Sequence, residues 1–294
     1  MIIYIKGDGT NLILSCHVIT EFLKKYNIPV HYNFRVHPVA GDYIVFHLPE
    51  VLSVLRELRL LSHQHHFDFF LKPSYFPEKG LVAFDMDSTF IEQEVVDEIA
   101  AETGLTDKIR FITESAMEGN IDFCESFSRR IRLLRGTPLT IMETVYSRLR
   151  VSRRIPELLS LLKGKGFRIA LISGGLTFFT ERFREKYGLD YVLANNIESA
   201  AGVLTGKVIL PIVNAVAKVS FLNQLSTEEH IDMANIIAVG DGANDIPMLR
   251  TAGTGVAYRG KSIVRDNIEN QINYSDIGAL SFFIDESLSG QDEL

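Results

Sequence analysis

Asp85 and Asp87 stand two residues apart in Phe84-Asp85-Met86-Asp87-Ser88-Thr89, where the apolar run Leu81-Val82-Ala83 gives out. Two carboxylates this close disfavour each other's ionisation. A hard divalent cation with oxygen ligands offsets that repulsion. A second acidic cluster, Gly240-Asp241-Gly242-Ala243-Asn244-Asp245, follows the apolar run Ile236-Ile237-Ala238-Val239. Ser173-Gly174-Gly175 follows a third apolar run, and Lys218 sits early in an expected helix. Together these residues meet the needs of magnesium-dependent phosphoryl transfer. Asp85 is suited to be a nucleophile that forms an aspartyl-phosphate. Mg²⁺ would offset repulsion between that carboxylate and a phosphate dianion. Asp87 could protonate the leaving oxygen and later deprotonate water. Ser173 and the glycine amides after it can cradle phosphate oxygens, and Lys218 supplies a fixed positive charge. Each feature alone has an ordinary structural explanation as a turn, a helix cap or a surface lysine. Their joint occurrence, in this order and at strand ends or a helix start, points to a site.

The elements that must position them follow from patterning. Strands are expected over 2–5, 29–36, 43–48 and 67–71, with helices over 11–26 and 49–61, the βαββαβ order of a ferredoxin-like α+β unit. Residues 72–80, with two prolines and a glycine, break the pattern and read as a linker. Beyond them strands alternate with helices, at 167–172, 191–193, 236–239 and 255–258, predicting an α/β, Rossmann-like core with a parallel sheet flanked by helices. The gap between Phe84 and Phe167 is far longer than an ordinary crossover and carries helical periodicity from Glu92 to about Arg154. It reads as an inserted helical cap. The expected divisions are 1–72 as a regulatory or dimerisation unit, 73–80 as linker, 81–91 with 155–285 as core, 92–154 as cap and 286–294 as an acidic tail.

The chain of 294 residues is long enough for two or three domains. A formal net charge of −7 argues against nucleic-acid or anionic-membrane partners, which want a basic face. No apolar run is long enough to span a membrane. Two widely separated cysteines, Cys16 and Cys124, imply no disulfide framework and suit a reducing, cytoplasmic setting. His63, His65 and His66 read as a polar stretch before a strand more readily than as a metal site.

The constellation resembles the haloacid dehalogenase superfamily. The match runs through Asp85-Met86-Asp87-Ser88-Thr89, Leu171-Ile172-Ser173-Gly174-Gly175, Lys218 and Gly240 to Asp245. By that resemblance Asp85 is the nucleophile and Asp87 the acid/base. Asp85, Asp241 and the main-chain carbonyl of Asp87 would bind Mg²⁺, with Asn244 and Asp245 supporting the metal and phosphate shell. The likeness extends to the phosphoserine phosphatase family within that superfamily. It is carried by Glu94 to Ala100, Ile112 to Gly119, Asp122-Phe123, Ser128-Arg129-Arg130-Ile131 and Leu204-Thr205-Gly206-Lys207. This implies hydrolysis of O-phospho-L-serine, the last step of serine biosynthesis. Glu94 would bind the substrate ammonium and Arg130 its carboxylate, with Met117 and Phe123 walling the pocket. An amino acid presents one cation and one anion, and the planar arginine fork matches a carboxylate. The sequence departs from the family at 151–157, where the usual glycine turn is absent, at Asn214 and at Arg259. The N-terminal unit resembles amino-acid-binding ACT modules by pattern alone, and its Lys6-Gly7-Asp8-Gly9-Thr10-Asn11 stretch reads equally as a ligand loop or a turn. Edge strands there make a homodimer plausible.

The same site could hand its phosphoryl group to another hydroxyl, as a phosphotransferase, or serve a different small phosphomonoester. A signalling receiver also phosphorylates an Asp, but it needs neither a second catalytic Asp nor a cap. A non-catalytic amino-acid sensor would not retain all four motifs.

Overall fold

The computed structural model describes residues 2–7, 11–47, 55–71, 77, 79–117 and 120–285, the side chains of 2, 3, 7, 11 and 117 excepted. The expected ligand loop at 8–10, the start of the second helix, most of the linker and the acidic tail lie outside the described residues.

The first unit runs β1 (Ile2–Gly7), α1 (Asn11–Lys25), β2 (His31–His37), β3 (Gly41–His47), α2 (Leu55–His65) and β4 (Phe67–Leu71). Its strands form an antiparallel sheet in the order β2-β3-β1-β4. Side chains alternate across the pleat. Ile5, Phe67 and Phe69 therefore meet Leu12, Ile19, Leu23 and Leu58 under the helices. Tyr4 and Phe70, on the opposite face, join the hydrophobic core of the second unit. β3 and β4 are mostly buried, whereas the edge strand β2 is largely exposed.

The second unit is built on β5 (Leu81–Phe84), β6 (Arg168–Leu176), β7 (Tyr191–Ala200), β8 (Val203–Ile209), β9 (Ile236–Gly240), β10 (Thr254–Tyr258) and β11 (Asn270–Ile272). Their order is β11-β10-β9-β5-β6-β7-β8. β5 lies between β6 and β9, parallel to both, with every residue buried. A strand buried on both faces reads as a continuous apolar run, which Leu81-Val82-Ala83-Phe84 is. β8 runs antiparallel to β7. The connection is only Ala201-Gly202, both at positive φ (50° and 79°), a turn that can return a strand only antiparallel. The parallel sheet expected from the sequence thus carries one antiparallel edge.

Between β5 and β6 lie α3 (Val95–Thr103), α4 (Thr106–Met117), α5 (Phe123–Leu133) and α6 (Leu139–Arg148). The chain enters and leaves this helical stretch through paired segments. Ile91 bridges Val151, Glu92 N–H donates to Arg150 O at 2.9 Å, and Ser152 N–H donates to Phe90 O at 2.9 Å. Helices α7 (Ile155–Gly164), α8 (Thr177–Tyr187), α9 (Ala215–Glu228), α10 (Ile246–Thr251) and α11 (Ser262–Arg265) flank the sheet or cap its strand ends.

The two units are clamped together. Phe282, in a short helical segment at Ile277–Phe283, stacks between Tyr4 and Phe70 with ring centroids 4.9 Å from each. Asp68 is fully buried and accepts the backbone N–H groups of Asn273, Tyr274 and Ser275 at 2.8, 3.0 and 2.7 Å. His63 Nδ1 lies 3.0 Å from the Tyr274 hydroxyl. None of the three histidines at 63–66 joins a metal-type cluster among the described residues.

Candidate active site

β5 delivers Asp85 to the carboxyl edge of the sheet. The Asp85 N–H donates to Val239 O at 2.8 Å, one step past the last β5–β9 pair, so its backbone is pinned by the neighbouring strand. The chain then turns tightly through Met86–Phe90, with Ser88 at φ +56°. That turn brings Asp87 back beside Asp85. Asp87 Oδ1 accepts the Val95 N–H at 2.8 Å, so the first turn of α3 orients this carboxylate.

Two other strand ends and a helix complete the site. Asp241 follows β9, and Thr89 Oγ1 donates to it at 3.4 Å. Asp245 accepts the Gly242 N–H at 3.0 Å. Lys218, in the first turns of α9, is fully buried and donates to Asp85 and, at 2.7 Å, to Asp245 Oδ1. Asn214 caps that helix by accepting the Ala217 N–H at 3.0 Å, which fixes where Lys218 points. At the end of β6 the Gly175 N–H donates to Ser173 Oγ at 2.8 Å. Position 175 is closely approached: a Cβ there would lie 3.2 Å from Asp87 Oδ2 and 3.0 Å from Ser173 Oγ, so a side chain would push on both groups.

Carboxylates packed this way are hard to ionise. Burial, then the charge of Asp245, pushes Asp85 well above the usual carboxylate range. Burial and the neighbouring Glu94 raise Asp87 to about 7. Asp241 is raised to about 6 by burial and by Asp245. Burial alone would lower Lys218, but the carboxylates of Asp245 and Asp85 more than offset it and hold the ammonium charged.

Oxygens of Asp85, Asp241 and Asp245 lie within 4.8 Å of one another, an all-carboxylate donor set that fits a hard divalent cation. Lys218 approaches Asp85 and Asp245 but is not bonded to Asp241, whose Oδ2 lies 3.5 Å from Lys261 Nζ.

A cavity of about 670 Å³ opens over this cluster, between the helices α3 to α5 and the sheet edge. Asp85, Asp87, Glu94, Phe123, Arg130, Gly174, Gly175, Asp241 and Asn244 line it. Ser173, Lys218 and Asp245 stand behind the wall, fully buried. Glu94 Oε1 accepts the Ser88 hydroxyl at 2.9 Å. Burial lowers Arg130, opposed by the charges of Asp87, Asp97 and Glu94. Its Nε is buried with no hydrogen-bond partner among the described residues. The pocket wall expected of Met117 lies outside the described residues.

Two residues of the site were not foreseen. Lys261, just past β10, lines the cavity against Asp241. It obeys the strand-end rule that singled out the others, but no charged motif surrounds it. Asn195 is buried in β7; its Nδ2 donates to Gly174 O at 2.8 Å and its Oδ1 accepts the Val213 N–H at 2.7 Å. Nothing in its local sequence separates it from a strand asparagine.

The haloacid dehalogenase-like hydrolase family matches residues 82–250. A phosphoserine phosphatase of Archaeoglobus fulgidus is 37 % identical over 234 residues, 79 % of this chain and 68 % of that protein. A HAD family hydrolase from Salmonella enterica serovar Typhi has a solved structure that superposes with a TM-score of 0.89 at 41 % identity. It covers 97 % of this chain and 98 % of its own. The structure of a phospho-aspartyl intermediate analogue of phosphoserine phosphatase superposes with a TM-score of 0.66 at 35 % identity, over 71 % of this chain and all of the other. The chain belongs to the haloacid dehalogenase-like hydrolases. Within that class it is a phosphatase.

Proposed function

We propose that the enzyme hydrolyses O-phospho-L-serine to L-serine and phosphate through an aspartyl-phosphate on Asp85. The observation that carries this reading is the pairing of Glu94 and Arg130 in the cavity that also holds Asp85 and Asp87. A carboxylate for the ammonium and a guanidinium for the carboxylate fit an amino-acid backbone, leaving its phosphoryl group toward Asp85. The similarity to phosphoserine phosphatases supports the same substrate.

In the first half-reaction an Asp85 oxygen attacks phosphorus, the bond from phosphorus to the serine oxygen breaks, and Asp87 gives that oxygen its proton. In the second, Asp87 takes a proton from water as the water oxygen attacks phosphorus, and the bond to Asp85 breaks. Magnesium, held by Asp85, Asp241 and the Asp87 carbonyl with Asp245 beside them, would supply the positive charge that lets one anion approach another. Lys218 holds Asp85 and Asp245 in place; Ser173, Gly174, Gly175 and Asn244 receive the phosphoryl oxygens. In this reading residues 92–154 act as a cap over the core, 81–91 with 155–285, and closure keeps bulk water from the intermediate.

A homodimer belongs to the same proposal. β2 is a free edge of the first sheet, and Phe34 and Val36 on it are exposed, an arrangement that a second copy's strand would extend. Among the described residues no helix is long and apolar enough to cross a membrane, and Cys16 and Cys124 are unpaired, which suits a reducing cytoplasm.

The deciding experiment measures phosphate release from O-phospho-L-serine, O-phosphothreonine and a sugar phosphate in Mg²⁺, with EDTA and Asp85→Asn as controls. Strong preference for phosphoserine, lost in EDTA and in the variant, is the expected result. Activity confined to the other esters would overturn the roles of Glu94 and Arg130 while leaving Asp85 as nucleophile.

A further inference from the structure

A second polar cavity, about 350 Å³, lies away from the catalytic cluster where three parts of the molecule meet. The first unit contributes Lys6 and Asp42, the segment leaving the helical insert contributes Arg153 and Arg154, and the core contributes Arg259 and Asp276. Among the described residues four cations thus face two carboxylates. The carboxylates are partly committed elsewhere: Asp276 Oδ1 accepts the Gly278 N–H at 3.1 Å, and its Oδ2 lies 3.8 Å from Arg153 Nε. Arg154 pairs with Glu157 at 3.1 Å. Among the described residues Arg259 has no ion pair, only the face of Tyr258 at 5.4 Å. Lys6 is 6 % exposed, and its ammonium donates to the carbonyl of Ala40.

Among the described residues the Lys6 ammonium bonds to a carbonyl and is attracted by the carboxylates of Asp276 and Asp42, which it shares with three arginines, so a buried cation here gains from a further anion. Burial lowers Lys6, and the nearby Arg154 and Arg153 add to that against the pull of Asp276 and Asp42. Two of the arginines are also held in left-handed backbone, Arg154 at φ +75° and Arg259 at +46°. Non-glycine residues adopt that region only where the surroundings impose it.

We propose that this cavity binds a small organic or inorganic anion, a carboxylate or phosphate group held between the Lys6 ammonium and the guanidinium groups of Arg153, Arg154 and Arg259. The chemistry is that of charge-assisted bonds to paired anionic oxygens. The site is distinct from the catalytic cavity but joined to it by short paths of backbone, hydrogen bonds and a charge contact. Ser152, beside Arg153, is bonded through its N–H and hydroxyl to Phe90 O and Thr89 O just after the catalytic turn. Lys261, two residues from Arg259, meets Asp241.

The test uses the full chain stripped of metal by EDTA and then dialysed free of the chelator, so that the carboxylates of Asp85, Asp87, Asp241 and Asp245 repel anions from the catalytic cavity. Malonate and inorganic phosphate are titrated separately by calorimetry into the wild type, the Arg153→Gln/Arg259→Gln double variant and Arg110→Gln. All three arginines are exposed, and far-UV circular dichroism checks that each variant is folded. The expected result is saturable binding of at least one probe, weakened about tenfold or more in the double variant and unchanged in Arg110→Gln. The probe that saturates identifies the carboxylate or the phosphate as the source. Absence of saturation with both probes, equal binding in the double variant, or equal weakening in Arg110→Gln would each overturn the proposal.

Discussion

Asp87 must be protonated to release the serine oxygen and ionised to activate water, so its position near pH 7 bears directly on rate. Burial and the charge of Glu94 hold it at about 7. The acid half-reaction therefore loses its proton donor as pH rises through that value. We expect kcat/KM for phosphoserine to fall on the alkaline side and, in Glu94→Gln, that limb to move to lower pH, because removing the neighbouring charge lowers Asp87. A profile flat between about pH 6 and 9 in both proteins would contradict this. Lys218 works differently, as the cation that makes three buried acids tolerable. Lys218→Met leaves Asp85 and Asp245 without their shared partner and should cost about 3–5 kcal/mol, read by urea unfolding. At this scale the sequence was legible wherever chemistry clusters: Asp85, Asp87, Ser173, Lys218 and Asp241 all sit where strand ends and a helix start place them. Asn195 was not legible, because its importance lies in bonds to Gly174 and Val213, which are remote in sequence.

The irregular end of β6, where its pairing with β7 slips between Ile172 and Leu176, sets how closely the phosphate-facing backbone can approach Asp87. Gly174 and Gly175 have neighbours on all sides: a Cβ at 174 would stand 3.0 Å from the Phe123 ring, and one at 175 would stand 3.1 Å from Met86 Cε. Gly175→Ala should displace the Asp87 carboxylate and lower kcat/KM by about 10²-fold with the fold intact. Wild-type rates in that variant, measured beside an unchanged circular dichroism spectrum, would show that this strand end has slack. Most elements were readable from period and punctuation, since β5 and β9 are apolar runs and β6 carries one over Ile169–Ile172. β8 and β11 were harder. Neither buries enough of one face to show a strand period, and their neighbours, not their own residues, make them strands.

Across the whole molecule, the acids of the site act as a titrating group whose folded-state values lie high. Asp87 at about 7 and Asp241 at about 6 bind protons that the unfolded chain has already released. The folded state thus holds more protons than the unfolded one between about pH 4 and 7, and metal-free stability falls as pH rises through that window. Magnesium binding only the folded form opposes this. The difference in Tm between Mg²⁺ and EDTA should widen from about pH 5 to about 7.5; a constant difference would argue that the carboxylates do not hold the metal. At the junction of the two units, Asp68→Asn keeps one acceptor oxygen and turns the other into an NH2 donor, leaving one or two of the three backbone N–H groups without an acceptor; it should destabilise the fold by about 1–3 kcal/mol, measured by thermal unfolding. The sequence did not disclose this junction: Phe67-Asp68-Phe69-Phe70-Leu71 is apolar on both faces, but only the partner surface tells a sandwiched strand from an edge one. That surface has a temporal consequence. Tyr4 and Phe70 are synthesised well before Phe282, the ring that stacks between them. Until Phe282 is made, the inner face of the first sheet lacks the ring that stacks on it. A nascent chain paused before Phe282 is thus the form most in need of a chaperone and most prone to sticking to its neighbours.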